Sequence, residues 1–243
     1  MTQKSAFLPP PHRNFLQASS CRPLIDGGAD DRDLRAAELM ELEQHTRADR
    51  VRACGTFGNR RCGERLCPSC KKATASVNKD LALLAVARFP APHFVTLTLP
   101  SRGPFRLGDA IGEFRARLVV WRRRAVIARV VRGGVGGVEP HLDRARVLWA
   151  VHAHLILDVV AQAIDWPVLG EEWARITSDR GLLLLPRGGS RVRSLVDAAR
   201  YVTKPDDWCP DPGELPLRAL EELAKGMRGK RVMVAWGTGR ARP

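Results

Sequence analysis

Residues Val147–Leu157 read V-L-W-A-V-H-A-H-L-I-L and decide the fold, because β-branched, aromatic and aliphatic residues without Gly or Pro are typical of a strand. Side chains alternate between the two faces of a strand, so the odd-numbered residues form one wholly apolar face. The other face carries His152 and His154 after the small Ala150. The stretch predicts a strand with one core face and one face bearing two imidazoles. Such a pair can bind a metal ion or an anionic group, or can be two half-buried histidines.

Charge and composition narrow the class of protein. The 243 residues suffice for one core plus an appended module, and 40 Lys and Arg against 26 Asp and Glu give a formal net charge of +14. This excess of positive charge favours nucleic acid as the partner. The alternatives are an acidic membrane surface, or a basic protein whose charge serves only its solubility. No stretch reaches the ~20 apolar residues of a membrane span, and the first residues lack the apolar segment of a secretory signal. We expect a cytoplasmic protein with reduced cysteines.

Four cysteines have the spacing C-x7-C-x4-C-x2-C, at Cys54, Cys62, Cys67 and Cys70. The closing C-P-S-C lets two sulfurs reach one ion, and little in the Gly- and Arg-rich gaps could build a core. The spacing predicts a structural Zn²⁺ site, with four unrelated cysteines as the alternative. Cys21 and Cys209 lie outside the cluster.

The hydrophobic pattern predicts a mixture of helices and strands. Helices are expected at 31–50, 72–89, 107–131, 165–177, 194–204 and 217–227. Strands are expected at 94–99, 181–186 and 231–236, besides the histidine strand. A glycine-rich run at 133–139 should lead through a short strand and a turn at 140–144 into the histidine strand. The arginines of the 107–131 helix either contact DNA or form a solvated basic face.

The helix expected from Ser194 carries Tyr201, the only tyrosine of the chain. Asp197 lies four residues before it and Lys204 three after it, so the three should share one helical face. Lys204 would favour the phenolate, and Asp197 could accept a proton from the phenol or from water. The alternative is an exposed helix with a charged pattern and a partly buried tyrosine.

Two imidazoles and one carboxylate leave coordination positions open for a substrate phosphodiester. Glu139 is the expected third ligand beside His152 and His154, by its place near the hairpin, and His141 is its competitor. Imidazole pairs also suit Zn, Ni and Cu, but phosphoryl transfer to a tyrosine favours a hard ion.

Three motifs resemble those of the HUH endonucleases in type and order: F-V-T-L-T-L at 94–99, W-A-V-H-A-H-L-I-L at 149–157 and A-A-R-Y-V-T-K-P at 198–205. More narrowly, the chain resembles the rolling-circle replication initiators of small bacterial plasmids, which also tend to carry a cysteine module ending in C-P-x-C. The resemblance covers roughly residues 54–205. Ala150 stands where relatives often have a third histidine, and Asp197 stands where some have a glutamate.

The resemblance implies that His152 and His154 bind the catalytic ion, Mg²⁺ or Mn²⁺, and that Tyr201 nicks one DNA strand at a replication origin. Tyr201 would stay attached to the 5′ phosphate while the 3′-hydroxyl primes synthesis, with a host helicase and polymerase as partners. It implies for Asp197 the activation of water at termination, a role that the shorter carboxylate reaches less well. We expect no membrane partner.

We therefore expect an α+β fold of the HUH-nuclease type, with a central antiparallel sheet of ferredoxin-like, split βαβ type. Helices should pack on one face of this sheet, and the tyrosine helix should lie near the histidine-bearing face. The expected divisions are a flexible arm at 1–30, a helix plus zinc module at 31–75, a nuclease domain at 76–210, and a C-terminal helix, strand and basic tail at 211–243. A single-tyrosine transposase of the same superfamily and a non-enzymatic, zinc-dependent DNA-binding regulator are the alternative functions.

Overall fold

The computed structural model of the protein describes residues 31–55, 61–100, 106–143, 148–160, 164–187, 189–204 and 210–240. The arm expected at 1–30, including Cys21, lies outside these ranges, as do Cys209 and the last three residues of the tail. Within these ranges, every helix is too short or too polar to cross a lipid bilayer.

Helices and strands are mixed along the described residues. The helices are α1 (Asp31–Glu41), α2 (His45–Arg52), α3 (Pro68–Val86), α4 (Leu107–Arg123), α5 (Ala125–Ala128), α6 (Trp166–Ile176), α7 (Leu195–Val202) and α8 (Leu217–Gly226). The strands are β1 (Pro92–Pro100), β2 (Val131–Asp143), β3 (Leu148–Val159), β4 (Leu182–Leu184) and β5 (Met233–Gly237).

The five strands form one antiparallel sheet in the order β4-β1-β3-β2-β5, with β3 at its centre. His154 of β3 lies between Thr96 of β1 and Gly137 of β2, and His152 lies opposite Glu139 of β2. Because register partners share a face, these residues all belong to the histidine-bearing face. The predicted α+β class with an antiparallel sheet is confirmed.

The opposite face of β3 is the main core. Val151, Ala153 and Leu155 are fully buried there, as the alternation of the sequence predicts. They belong to one apolar cluster with aromatic side chains of α4 and α6, among which Phe114 and Trp173 pack edge to face with 5.4 Å between ring centroids.

Helices cover part of the histidine-bearing face as well, which differs from the prediction of helices on one face only. Beyond the histidines this face becomes apolar at Val135 and Ile156, and these side chains must also be shielded from water. Ala199 and Val202 of α7 cover them together with the second half of α3, so the tyrosine helix lies on this face.

Three predicted elements are divided or extended in the structure. The helix expected at 107–131 is divided into α4 and α5 at Arg124, whose ψ of 137° is extended, and β2 begins at Val131. The helix expected at 31–50 is broken at Glu43, whose φ of 57° is left-handed and ends α1. The turn expected at 140–144 is wrong over Pro140–Asp143, which continue β2 beside β3. Pro140 is tolerated because β5 pairs with β2 only up to Gly137, so β2 is an edge strand beyond that point.

The end of α7 approaches the sheet so closely that Gly137 can only be glycine. A Cβ built at this position would lie 2.2 Å from the carbonyl oxygen of Val202, the last residue of α7. A methyl group there must push α7, and with it Tyr201, away from β2.

We predict that Gly137→Ala destabilises the protein by about 1–3 kcal/mol, the usual cost of overpacking. Urea unfolding followed by circular dichroism measures this change. The matched control is Gly112→Ala in α4, where an added Cβ meets nothing within 4 Å. The control should leave stability unchanged or raise it by up to about 1 kcal/mol, since Ala favours a helix. Equal stability of the two variants would contradict the close approach of α7.

Candidate active site and cysteine cluster

His154 is held on both sides of its ring. Its Nδ1 is hydrogen-bonded to the Thr96 hydroxyl at 2.8 Å, and its Nε2 lies 3.4 Å from a carboxylate oxygen of Glu139. The Glu139 side chain is only 4% exposed, and a buried carboxylate is costly unless a cation or donor faces it. The structure therefore brings together His154 and Glu139, two of the three predicted ligands of the catalytic ion.

His152 points toward a different neighbour. Its ring stacks on that of His141 with 5.7 Å between centroids, whereas the centroids of His152 and His154 are 6.5 Å apart. This distance matches the ~6.6 Å that separates residues i and i+2 of a strand. The predicted ligands thus form two contacting pairs, and among the described residues they do not make a group of three donor atoms within 4.8 Å of one another, as the cysteines do.

Tyr201 packs against His154, one member of the first pair. The Ser194 hydroxyl caps α7 by accepting a hydrogen bond from the backbone N–H of Asp197 at 3.2 Å, as predicted. The Tyr201 ring packs edge-on against His154, with 4.8 Å between centroids, and against Phe94 at 5.4 Å. About half of Tyr201 is exposed, so the phenol is supported by two rings and remains accessible to a substrate.

The two charged companions of Tyr201 differ in their positions. Asp197 is exposed one turn before Tyr201, and both side chains line one groove, which is described below. Helix α7 ends at Val202, so Lys204 follows the helix and does not extend its face. Its backbone N–H donates to the Tyr201 carbonyl at 3.4 Å. The prediction of one shared helical face therefore fits Asp197 and Tyr201, and is wrong for Lys204.

A groove of about 550 Å³ leads to Tyr201 along the segment before α7. Its wall carries three arginines, Arg187, Arg191 and Arg193, which the sequence analysis did not single out. Backbone hydrogen bonds join this wall to β1, from the N–H of Phe94 to the Ser190 carbonyl at 2.6 Å and from the N–H of Val192 to the Pro92 carbonyl at 2.9 Å. The basic run 187–193 immediately before α7 is the feature of the sequence that could have indicated this wall.

The four clustered cysteines meet at one point, as their spacing predicts. Their sulfurs all lie within 4.8 Å of one another, and Cys70 Sγ is 3.6 Å from both Cys54 Sγ and Cys62 Sγ. A tetrahedron with Zn–S bonds of about 2.3 Å has edges of about 3.8 Å, so this spacing fits four thiolates around one ion. The cluster could hold a metal such as zinc, and no disulfide joins these cysteines.

Burial makes two of the four thiols hard to ionise unless a cation binds to them. Burial raises the pKa of Cys67 to about 11 and also raises that of Cys62. Burial opposes ionisation of Cys54 too, but hydrogen bonds from the Cys62 backbone N–H and the neighbouring thiols outweigh it and lower the pKa of Cys54. Binding of Zn²⁺ must therefore displace protons from Cys62 and Cys67, so the affinity for zinc falls as the pH falls.

No family model, no curated protein and no solved structure matches the chain. The resemblance to the HUH endonucleases therefore rests on its three sequence motifs alone.

We predict that the purified protein carries about one zinc ion per chain and that Cys62→Ser loses it, because three thiolates leave the tetrahedron incomplete. The melting temperature should fall by about 5 °C or more, since a loss of 1 kcal/mol lowers it by about 2–4 °C in a chain of this size. Elemental analysis and thermal unfolding measure the two effects. Cys21→Ser is the control and should retain zinc. Unchanged zinc content in Cys62→Ser would show that the cluster is not the metal site.

Proposed function

We propose that the chain is a metal-dependent DNA-nicking enzyme of the HUH type that initiates rolling-circle replication of a small plasmid. The observation that carries the proposal is the packing of the Tyr201 ring against His154, 4.8 Å between centroids, at the end of an arginine-lined groove. An accessible nucleophile beside an imidazole–carboxylate pair, with cations to hold a phosphodiester backbone, is the combination that strand cleavage requires.

The proposed step is an in-line displacement at a backbone phosphorus. The Tyr201 oxygen forms a bond to phosphorus while the bond from phosphorus to O3′ breaks. The phenolic proton passes to a base, Asp197 or water, and the released O3′ takes up a proton. The products are a 5′-phosphotyrosine and a free 3′-hydroxyl, which would prime a host polymerase beside a host helicase. Attack by a 3′-hydroxyl on the same link rejoins the strand.

We place the proposed divalent ion at His154 and Glu139, where a buried carboxylate faces an imidazole nitrogen. His152 or His141, whose rings stack on each other, would turn toward this pair to supply a third donor. Mg²⁺ or Mn²⁺ bound there would polarise the phosphodiester and stabilise the charge on the leaving oxygen. Thr96 would act through His154, because its hydrogen bond to Nδ1 orients Nε2 toward Glu139.

The groove supports single-stranded DNA as the substrate. Arg187, Arg191 and Arg193 can each meet a phosphate, while Phe94 and Tyr201 offer ring surface to an unstacked base. Substrate binding thus places a phosphodiester next to the only tyrosine of the chain.

We predict that Tyr201→Phe abolishes the covalent adduct with a single-stranded origin oligonucleotide in the presence of Mn²⁺ and lowers nicking by at least about 10³-fold. A gel-shift under denaturing conditions detects the adduct, and peptide mapping locates it. Since Tyr201 is half exposed, the melting temperature of the variant should match that of wild type. An adduct that persists in Tyr201→Phe would overturn the mechanism.

We predict further that Glu139→Gln raises the Mn²⁺ concentration needed for half-maximal nicking by about 10–100-fold, because it removes the charge facing His154. His141→Ala, on the neighbouring pair, should raise it less. Titration of Mn²⁺ in the nicking assay compares the two variants. The reverse order would make His141 the third ligand in place of Glu139.

A zinc-dependent DNA-binding regulator without catalytic activity is the second candidate. One finding favours it. Among the residues that the structure describes, only the cysteine cluster brings three or more potential metal ligands together. For such a regulator His152→Ala would change nothing. For the nicking enzyme the same variant should lose cleavage while DNA binding is largely kept.

A further inference from the structure

The groove wall, which comprises Arg187 and residues 189–193, lies between the end of β4 and the start of α7. A turn begins it, in which the backbone N–H of Gly189 donates to the Pro186 carbonyl at 3.2 Å. Among its described residues, one bridge to β1 is the only strand-like pairing, and it sets Arg191 opposite His93. The direction in which the arginines of the wall point therefore depends on the contacts made at this bridge.

A side chain of β1 completes the attachment of the groove wall. His93 Nδ1 is hydrogen-bonded to the Ser190 hydroxyl at 2.9 Å, and Ser190 is only 6% exposed. The two backbone bonds of the bridge, which join Ser190 to Phe94 and Val192 to Pro92, could form with other side chains in place, whereas this bond requires a hydroxyl and an imidazole. Because a buried hydroxyl is costly when its partner is removed, the pair specifies where the wall is held.

The His93 ring also packs against α6. Trp166, the first residue of α6, lies with its ring centroid 5.6 Å from that of His93, at an interplanar angle of 48°. Trp166 in turn packs against the main core. The imidazole therefore connects the groove wall to the rigid part of the molecule.

The next residue of β1 supports the proposed nucleophile. Phe94 packs edge-on against Tyr201 at 5.4 Å and stacks on His154 with 5.8 Å between centroids. Successive side chains of a strand point to opposite faces, so Phe94 lies on the histidine-bearing face and His93 on the core face. Two adjacent residues thus hold the wall and the phenol, and a displacement of the wall from β1 changes its distance from Tyr201.

His93 is better suited to hold the wall than to bind a phosphate itself. Burial, with the charge of Arg191 added, lowers the pKa of His93, so its ring is uncharged at neutral pH. The described lining of the groove includes Ser190 and Arg191 but not His93. An uncharged imidazole outside the groove adds no cation to the path of a phosphate backbone, but it can orient the segment that carries the cations.

We propose that His93 is a positioning residue for single-stranded DNA. Through the Ser190 hydroxyl it holds the groove wall so that Arg187, Arg191 and Arg193 meet the phosphates next to Tyr201. The inference rests on the proposed function, since it takes a single strand as the occupant of the groove. It predicts an effect on substrate binding and not on the chemical step, because His93 touches none of the reacting atoms.

The test is a double-mutant cycle of His93→Phe, which keeps a ring against Trp166 but loses the hydrogen bond, and Ser190→Ala. Fluorescence anisotropy without divalent metal gives Kd for a single-stranded oligonucleotide, and nicking with Mn²⁺ gives KM and kcat. Each single variant should raise Kd and KM about fivefold, as expected for one lost hydrogen bond, and leave kcat within about twofold. The double variant should bind no more weakly than either single one. His45→Phe, at an exposed histidine of α2, is the control and should match wild type.

Two further measurements separate positioning from packing and from misfolding. In His93→Asn an amide group can take the place of Nδ1 although the ring is lost, so this variant should bind the oligonucleotide more tightly than His93→Phe. Hydrogen exchange of the Val192 amide, which donates to the Pro92 carbonyl, should be faster in His93→Phe and in Ser190→Ala. The amide of Val151 in the core should exchange as in wild type in both.

Additive losses in the double variant, a fall in kcat with KM unchanged, or binding by His93→Asn no tighter than by His93→Phe overturns the positioning role. If the wild type never forms an adduct but its single-strand binding follows the cycle, the proposed function fails and the positioning role stands. If the adduct forms and binding is unchanged in every variant, the positioning role fails and the proposed function stands. If the wild type binds no single strand, both fail.

Discussion

The candidate site depends on one row of the sheet, in which Thr96, His154 and Gly137 lie side by side on adjacent strands. The hydroxyl on one side fixes the imidazole ring by a 2.8 Å hydrogen bond. The missing side chain on the other side admits the carbonyl oxygen of Val202 and thus the end of α7. Because a shift of register by one residue would move all three to the other face, the antiparallel pairing of β3 determines where Tyr201 can lie.

Much of this arrangement could be predicted from the sequence, because it follows from local patterns. The alternation of apolar residues in β3 gives the buried face and the face that bears the imidazoles, Ser194 gives the start of α7, and the cysteine spacing gives a convergent set of sulfurs. Each of these signals involves residues that are close in sequence, so periodicity and spacing suffice.

The parts that could not be predicted depend on contacts between distant segments. Pro140 reads as a turn residue, and only the limited extent of β5 shows that it occupies an open edge of β2. The choice between Glu139 and His141 depends on the orientation of side chains across two strands, which the hairpin position alone does not give. Glu139 faces His154 along a diagonal, and His141 stacks on His152, so each competitor belongs to a different histidine. The left-handed conformation of Glu43 has no local sequence signal, since glutamate rarely adopts it.

Helix α3 links the cysteine cluster physically to the tyrosine helix. Cys67 is the residue immediately before the helix and Cys70 lies in its first turn, while Ala82 and Val86 at the far end pack against α7. Nineteen helical residues span about 28 Å, so one rigid element extends from the sulfurs to the helix that carries Tyr201. It also runs through residue 75, where the sequence suggested a domain boundary. A metal that orders the cysteines therefore fixes the start of α3, and the packing of α3 on Ala199 and Val202 in turn supports the placement of Tyr201 over His154.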